Sequence, residues 1–272
     1  MRPALRWASA PGYARLAAGE VHVWSAFLDE LPPARLAWLS ADEKDRAARF
    51  YFEPDRNRFV AARALLRDLL GRYLGLDPAA LVFGYGPRGK PSLAGGLRFN
   101  VSHSGGLALL AFSEDRELGV DVEQERPVPE AESIAERYFS PGEGRELGRQ
   151  PAAERPQAFF RCWTRKEAFI KATGDGLSRP LGDFEVTLAP GEPARLLRVE
   201  GDPEEAGRWW LEGLEPAAGF AAALAVRGRP TRVACWSWDV RLEENHGPRG
   251  EGRHDHLQGG REPRGAVLDL AG

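Results

Sequence analysis

The run from Phe99 to Glu123 leaves the backbone the fewest choices. It opens as Phe99-Asn100-Val101-Ser102-His103-Ser104-Gly105-Gly106 and continues through the apolar Leu107-Ala108-Leu109-Leu110-Ala111-Phe112. It then turns at Ser113-Glu114-Asp115-Arg116 and ends in Leu118-Gly119-Val120-Asp121-Val122-Glu123. The apolar segment reads as a buried strand. In the closing segment successive side chains alternate faces, so Asp121 and Glu123 point one way while Val120 and Val122 point the other. Two carboxylates side by side repel unless a cation sits between them. Two readings stay open: a solvated acidic face, or oxygen ligands for a hard ion such as Mg²⁺, which keeps waters and takes substrate phosphates as further ligands.

A second stretch, Phe159 to Gly174, predicts a helix. At about 100° per residue, Phe159, Cys162, Trp163, Phe169 and Ile170 form one apolar arc. Lys166 falls inside that arc, where a solvated lysine has no reason to be. Glu167 and Lys171 lie on its flank, one turn apart; a plain helical salt bridge there would contribute about 0.2–0.5 kcal/mol. Of 37 Lys and Arg residues only four are lysine, Lys44, Lys90, Lys166 and Lys171; two of them fall in this helix and Lys90 in the glycine-rich run Gly84 to Lys90. Lysine offers a compact charge with a tunable pKa, where arginine stays protonated.

Two tempting motifs fail. Gly84-Tyr85-Gly86-Pro87-Arg88-Gly89-Lys90 fits G-x-x-x-x-G-K, but Pro91 stands where a phosphate loop needs Ser or Thr and a helix start. Ser102-His103-Ser104 lacks the G-x-S-x-G elbow of a hydrolase. Lys90 on a rigid turn and His103 on its strand end remain candidates for phosphate, His103 alternatively as a structural residue.

Taken in order, Gly89-Lys90-Pro91, Phe99 to Ser104, Gly119 to Glu123, Arg137-Tyr138-Phe139-Ser140, Trp163 to Lys171 and Gly174-Asp175-Gly176-Leu177-Ser178 resemble the Sfp-type 4′-phosphopantetheinyl transferases. The resemblance spans roughly residues 20 to 240, and ordered motifs at family-like spacing are far more specific than any one of them. It implies an α+β pseudodimer of two similar subdomains, each a small antiparallel sheet with packed helices, and an active site between them. It implies transfer of 4′-phosphopantetheine from coenzyme A to a serine of an apo acyl or peptidyl carrier protein, with release of adenosine 3′,5′-bisphosphate. Asp121, Glu123 and Glu167 would hold Mg²⁺; Glu167, Lys171, Asp121 and His103 would be catalytic. Arg46, Arg58, Lys90, Pro91, Ser102, His103, Lys166 and Lys171 would meet coenzyme A. Pro127 to Phe139, with Arg126 and Arg137, is the expected carrier-docking surface. The rivals are another Mg²⁺-dependent phosphotransferase, which ATP turnover would reveal, and a non-catalytic coenzyme A- or carrier-binding module.

Composition fits this reading. A net charge of −3 implies no general attraction to nucleic acid. Cys162 and Cys235 have neither disulfide nor zinc spacing, and no apolar run is long enough to span a bilayer. The expected protein is a cytoplasmic monomer, with no membrane and no nucleic-acid partner.

Along the chain, residues 1–19 are expected to be poorly ordered, 20–117 and 118–242 to form the two α+β halves, and 243–272 a disordered Gly-, Arg- and His-rich tail. Glu20 to Ser25 alternates like a strand with His22 on the surface. Ser40 and Glu43 form a capping box for a helix running towards Phe50. Glu53-Pro54-Asp55 breaks the chain before a second helix from Arg56 to about Tyr73, which Gly75 closes. Arg46, Arg49, Arg56, Arg58 and Arg63 gather on these helices. Beyond Gly176, five segments between Phe184 and Asp239 read as strands. No sequence repeat is visible.

Overall fold

The structure is a computed structural model that describes residues 5–11, 14–31, 33–86, 89–176, 179–238 and 267–269. The first half runs β1 (Trp7–Ser9), β2 (Glu20–Phe27), α1 (Ala41–Ala47), α2 (Glu53–Leu74), a short hairpin of β3 (Gly84–Tyr85) and β4 (Pro91–Ser92), then β5 (Arg98–Ser104) and β6 (Leu107–Ser113). The second half runs β7 (Leu118–Gln124), α3 (Ala131–Tyr138), α4 (Pro141–Arg149), α5 (Arg155–Thr173), β8 (Phe184–Val186), β9 (Leu196–Val199), β10 (Trp209–Leu214) and β11 (Phe220–Arg227). The described chain closes with β12 (Arg232–Ser237) and β13 (Val267–Asp269).

The halves share one topology. Each begins with a strand, crosses through helices, and returns as a hairpin whose second strand pairs antiparallel with the first, giving β2-β6-β5 and β7-β11-β10. The α+β fold with two similar subdomains is thus present. One strand crosses the expected boundary: β12, from the segment read as second half, pairs in parallel with β2. β1 then pairs in parallel and β13 antiparallel with β12, so the first sheet is mixed and part of segment 1–19 is built into it. Of the segment 243–272, only the backbone of Val267–Asp269 lies among the described residues.

Packing explains the layers. The apolar stripe Leu65, Leu66, Leu69 and Leu70 of α2 covers the Trp24, Leu110 and Phe112 face of the first sheet. The opposite face, with Val21, Val23 and Leu109, packs on Val120, Val122 and Leu224 of the second sheet. Phe169 and Ile170 of α5 close the far side against Ala223 and Ala225. The order is helix, sheet, sheet, helix. Because β2 is covered on both faces, His22 is buried rather than a surface residue. Its Nδ1 is hydrogen-bonded to Tyr73 Oη at 2.8 Å, and desolvation pushes its pKa down to about 4.

Helix ends follow local chemistry. The capping box at Ser40 and Glu43 is present, although α1 ends at Ala47, short of Phe50. Pro54 does not break the chain but sits in the first turn of α2, where a missing N–H costs no hydrogen bond. Gly75 and Gly174 end α2 and α5 in the left-handed region at φ 66° and 74°.

Candidate active site

The two halves meet where β5 faces β7, and side chains rather than a backbone ladder join these strands. Every second residue of β5 takes part. Asn100 Oδ1 accepts from Val120 N at 2.9 Å, Ser102 Oγ from Val122 N at 3.3 Å and Ser104 Oγ from Gln124 N at 3.2 Å. The two hydroxyls also donate, Ser102 to Asp121 Oδ1 at 2.8 Å and Ser104 to Glu123 Oε2 at 2.7 Å. The period of two that turns Asp121 and Glu123 to one face thus delivers both to this seam.

α5 approaches the same strand closely. A Cβ at Gly119 would overlap the Ala168 carbonyl oxygen and the Ala172 nitrogen, so only glycine lets β7 lie against the helix backbone here. The result brings Lys171 Nζ to 2.5 Å from Asp121 Oδ1 and 2.9 Å from Ser102 Oγ. Lys171 pairs with Asp121, not with Glu167 as a plain helical salt bridge would require.

Asp121 is buried, and its other oxygen, Oδ2, has no hydrogen-bond partner among the described residues. Burial raises the Asp121 pKa against the opposing pull of Lys171 and Ser102. Burial also raises that of Glu123, with the Asp121 charge adding to it. Glu167 is raised by burial first, then by Asp121 and Glu123, while Lys171 opposes. Three carboxylates therefore feel one another across the seam. Among the described residues, however, no group of three or more His, Cys, Asp or Glu side chains stands close enough to hold a metal ion. What the site offers a cation is carboxylate oxygen, one atom of it buried and unpaired.

Positive charge converges from the first half. His103 is exposed at the end of β5. Desolvation lowers its pKa, and the charges of Lys171, Arg46 and Arg58 lower it further. Arg46 and Arg49 line a neighbouring cavity of about 530 Å³ with Phe50 and Tyr85. Arg58 is held by both oxygens of Asp29, at 2.8 and 2.9 Å, so its charge is already partnered. Arg63 turns inward to Glu43 at 3.0 Å and leaves the expected basic surface. Pro91, Lys90, Asn100, Glu167 and Lys171 line a smaller cavity of about 280 Å³ at the seam. Another of about 930 Å³ is lined mainly by aliphatic residues such as Leu31, Leu36 and Val60, with Asp29 and Arg56 on its wall.

One expected coenzyme A contact needs correction. Lys166 is fully buried. Its ammonium meets Glu143 Oε2 at 2.8 Å and donates to the carbonyls of Leu181 at 2.7 Å and Phe184 at 2.6 Å. Its three protons are used, and none remains for a phosphate. Lys90, by contrast, lines the cavity at the seam, where its Nζ donates to the Lys171 main-chain carbonyl at 2.7 Å. Ser102 is buried and organises Asp121 and Lys171.

Sequence reasoning missed Glu143, Asn100 and Ser104. The signals were present: Ser140-Pro141-Gly142-Glu143 is a second capping box, and Asn100-Val101-Ser102-His103-Ser104 places polar side chains at every second position of a strand.

Comparison with known proteins agrees with this geometry. The 4′-phosphopantetheinyl transferase superfamily model matches residues 117–225, and the 4′-phosphopantetheinyl transferase N-terminal model matches residues 23–115. The 4′-phosphopantetheinyl transferase HetI of Nostoc sp. PCC 7120 is 42% identical over 241 residues, covering 85% of this chain and 98% of that protein. A putative 4′-phosphopantetheinyl transferase of Synechocystis sp. PCC 6803 is 37% identical over 194 residues, covering 70% and 77%. The 4′-phosphopantetheinyl transferase Sfp of Bacillus subtilis strain 168 is 33% identical over 155 residues, covering 56% and 68%. The boundary between the two family models falls between β6 and β7, where one half ends and the other begins. The chain belongs to the 4′-phosphopantetheinyl transferase family and is an enzyme of that kind.

Proposed function

We propose that the seam transfers 4′-phosphopantetheine from coenzyme A to a serine hydroxyl of an apo carrier protein, in a Mg²⁺-dependent step that releases adenosine 3′,5′-bisphosphate. The observation that carries this reading is the buried, unpaired Asp121 Oδ2 beside Glu123 and Glu167, with Lys171 on the other oxygen. Asp121, Glu123 and Glu167 are the residues that would hold Mg²⁺, since an oxygen-only donor set suits a hard cation. Bound there, Mg²⁺ supplies charge neutralisation on the pyrophosphate as the bond to the leaving phosphate lengthens.

The chain's own groups do the rest. Among the described residues no hydrogen bond joins Glu167 to another side chain, and burial raises its pKa; both suit a base that takes the serine proton directly or through water. Lys171, already oriented by Asp121 and Ser102, stabilises charge on the leaving phosphate. His103, Arg46 and Arg58 face the nucleotide phosphates, Arg58 after exchanging Asp29 for the ligand. Pro127 to Phe139 remains the proposed carrier surface: Tyr138 is 42% exposed there and Arg137 lies 5.3 Å over its ring. Both sides of the seam come from one chain, which supports action as a monomer. Among the described residues no helix is long and apolar enough to cross a membrane, in keeping with the proposed cytoplasmic location.

Mass spectrometry of a panel of fatty-acid, polyketide and peptide-synthetase apo carriers, incubated with coenzyme A and Mg²⁺, tests the reading. Addition of phosphopantetheine to at least one carrier, abolished by chelator, is expected. Modification that proceeds equally in chelator would remove the metal from the proposal.

A further inference from the structure

Lys90 stands on the turn before β4, in the first half, yet its acceptors belong to the second. Nζ donates to the Lys171 carbonyl at 2.7 Å and lies 3.4 Å from the carbonyl oxygens of Leu118 and Ala172. An ammonium has three protons, and these three acceptors match them. Two of the carbonyls lie in the last turn of α5, where intrahelical donors have run out and the helix dipole favours a cation. The third opens β7. The residue whose carbonyl is held, Lys171, is the one whose side chain reaches Asp121 and Ser102.

We propose that Lys90 is a positioning residue for Lys171: it fixes the last turn of α5 to the first half so that the Lys171 ammonium meets Asp121, and its own amine does not grip substrate phosphate. The kinetic consequence rests on the transferase reading above; the structural one does not.

Lys90→Met and Lys90→Arg in the full chain separate the two roles. Both substitutions are expected to lower kcat about 10- to 100-fold, the scale of a misplaced catalytic group, with KM for coenzyme A changed by about twofold or less. Arginine should fail to rescue, because its planar fork cannot converge on three carbonyls. In a Lys171→Ala background, Lys90→Met should add little, since it acts through Lys171. Amide hydrogen exchange in the last turn of α5 should quicken in Lys90→Met while the rest of the helix is unchanged. A phosphate ligand behaves otherwise: KM rises, arginine rescues, and the preference for coenzyme A over dephospho-coenzyme A shrinks. That pattern, or unchanged exchange at the end of α5, would overturn the assignment. If the wild-type chain transfers nothing from coenzyme A, the donor reading fails, and the exchange measurement still decides the role of Lys90.

Discussion

The two halves are built around the same buried ion pair and then diverge in the charge they present. In the first, the capping-box glutamate Glu43 holds Arg67 of α2 at 2.8 Å and Arg63 at 3.0 Å. Arg67 also donates to the carbonyls of Pro78 at 2.8 Å and Leu81 at 3.0 Å, fastening the segment after the helix. In the second, the capping-box glutamate Glu143 holds Lys166 of α5, which fastens Leu181 and Phe184 in the same way. The scaffold is shared; the solvent-facing chemistry is not. α1, α2 and the turn between them carry Arg46, Arg49 and Arg56 outward, with Arg58 held by Asp29, whereas α5 presents Glu167 and Lys171 beside Asp121. One half presents cations, the charge that the proposed phosphate contacts require, and the other presents carboxylates. The difference teaches that two halves of the same topology can share an internal anchor while their helix surfaces carry opposite charge.

Breaking either anchor should have the largest effect. Glu143→Ala leaves Lys166 charged in a dry core, and Glu43→Ala does the same to Arg67, so each should cost about 3–5 kcal/mol in denaturant unfolding. Replacing both members of the second pair, Glu143→Leu with Lys166→Met, should recover much of that loss. If Lys166→Met refolds with native stability but a raised KM for coenzyme A, the anchor reading of the second half is wrong.

Gly119→Ala should come next. The added methyl meets the α5 backbone, so strain of about 1–3 kcal/mol is expected, with transfer falling further than stability because Lys171 shifts from Asp121. Unfolding midpoints beside single-turnover rates would check this; unchanged rates would mean that the approach of α5 to β7 is not needed for chemistry.

Ser102→Ala removes the hydroxyl that Asp121 and Lys171 share. A loss of about 1.5–3 kcal/mol is the scale of a hydrogen bond to a charged group, read in the same unfolding experiment. Indifference to this change would break the seam as a joint device of both halves.

The smallest effect is on His103. Desolvation and the cations of Lys171, Arg46 and Arg58 depress its pKa, so its neutral form is favoured in the fold. Its contribution to stability is therefore fully present above the unfolded value of about 6.5 and declines as pH falls through the folded one. Arg46→Ala should raise the His103 pKa, as should binding of adenosine 3′,5′-bisphosphate, both visible by NMR titration. A titration unmoved by either would detach the first half from phosphate recognition.

Much of this was legible in the chain. The alternation at Val120 to Glu123 oriented the carboxylates correctly because a strand has a period of two and no competing geometry. The arc of α5 sets Lys166 among apolar residues, yet the resemblance assigned it to coenzyme A, because its partner was out of view: Glu143 reaches it from a capping box 23 residues upstream, a contact set by how α4 packs on α5. The repeat stayed hidden because it is carried by two ion pairs of different cations, Arg67 and Lys166, rather than by matching residues. His22 was misplaced because strand alternation says nothing about which faces are covered, and here α2 covers one face of β2 and the second sheet the other. Lys90 looked free because its acceptors are backbone carbonyls, which leave no mark in sequence.

The most direct test of the division of labour is the rate of carrier modification by Glu167→Gln across a Mg²⁺ titration, with melting temperature followed in parallel. Burial and the charges of Asp121 and Glu123 make ionised Glu167 costly in the fold. Removing its charge should therefore leave the metal-free protein equally or more stable, while Mg²⁺ dependence shifts to far higher concentration and transfer collapses. A mutant that modifies carrier at the wild-type rate in low Mg²⁺ would contradict the account, because the second half would then not be acting through its carboxylates.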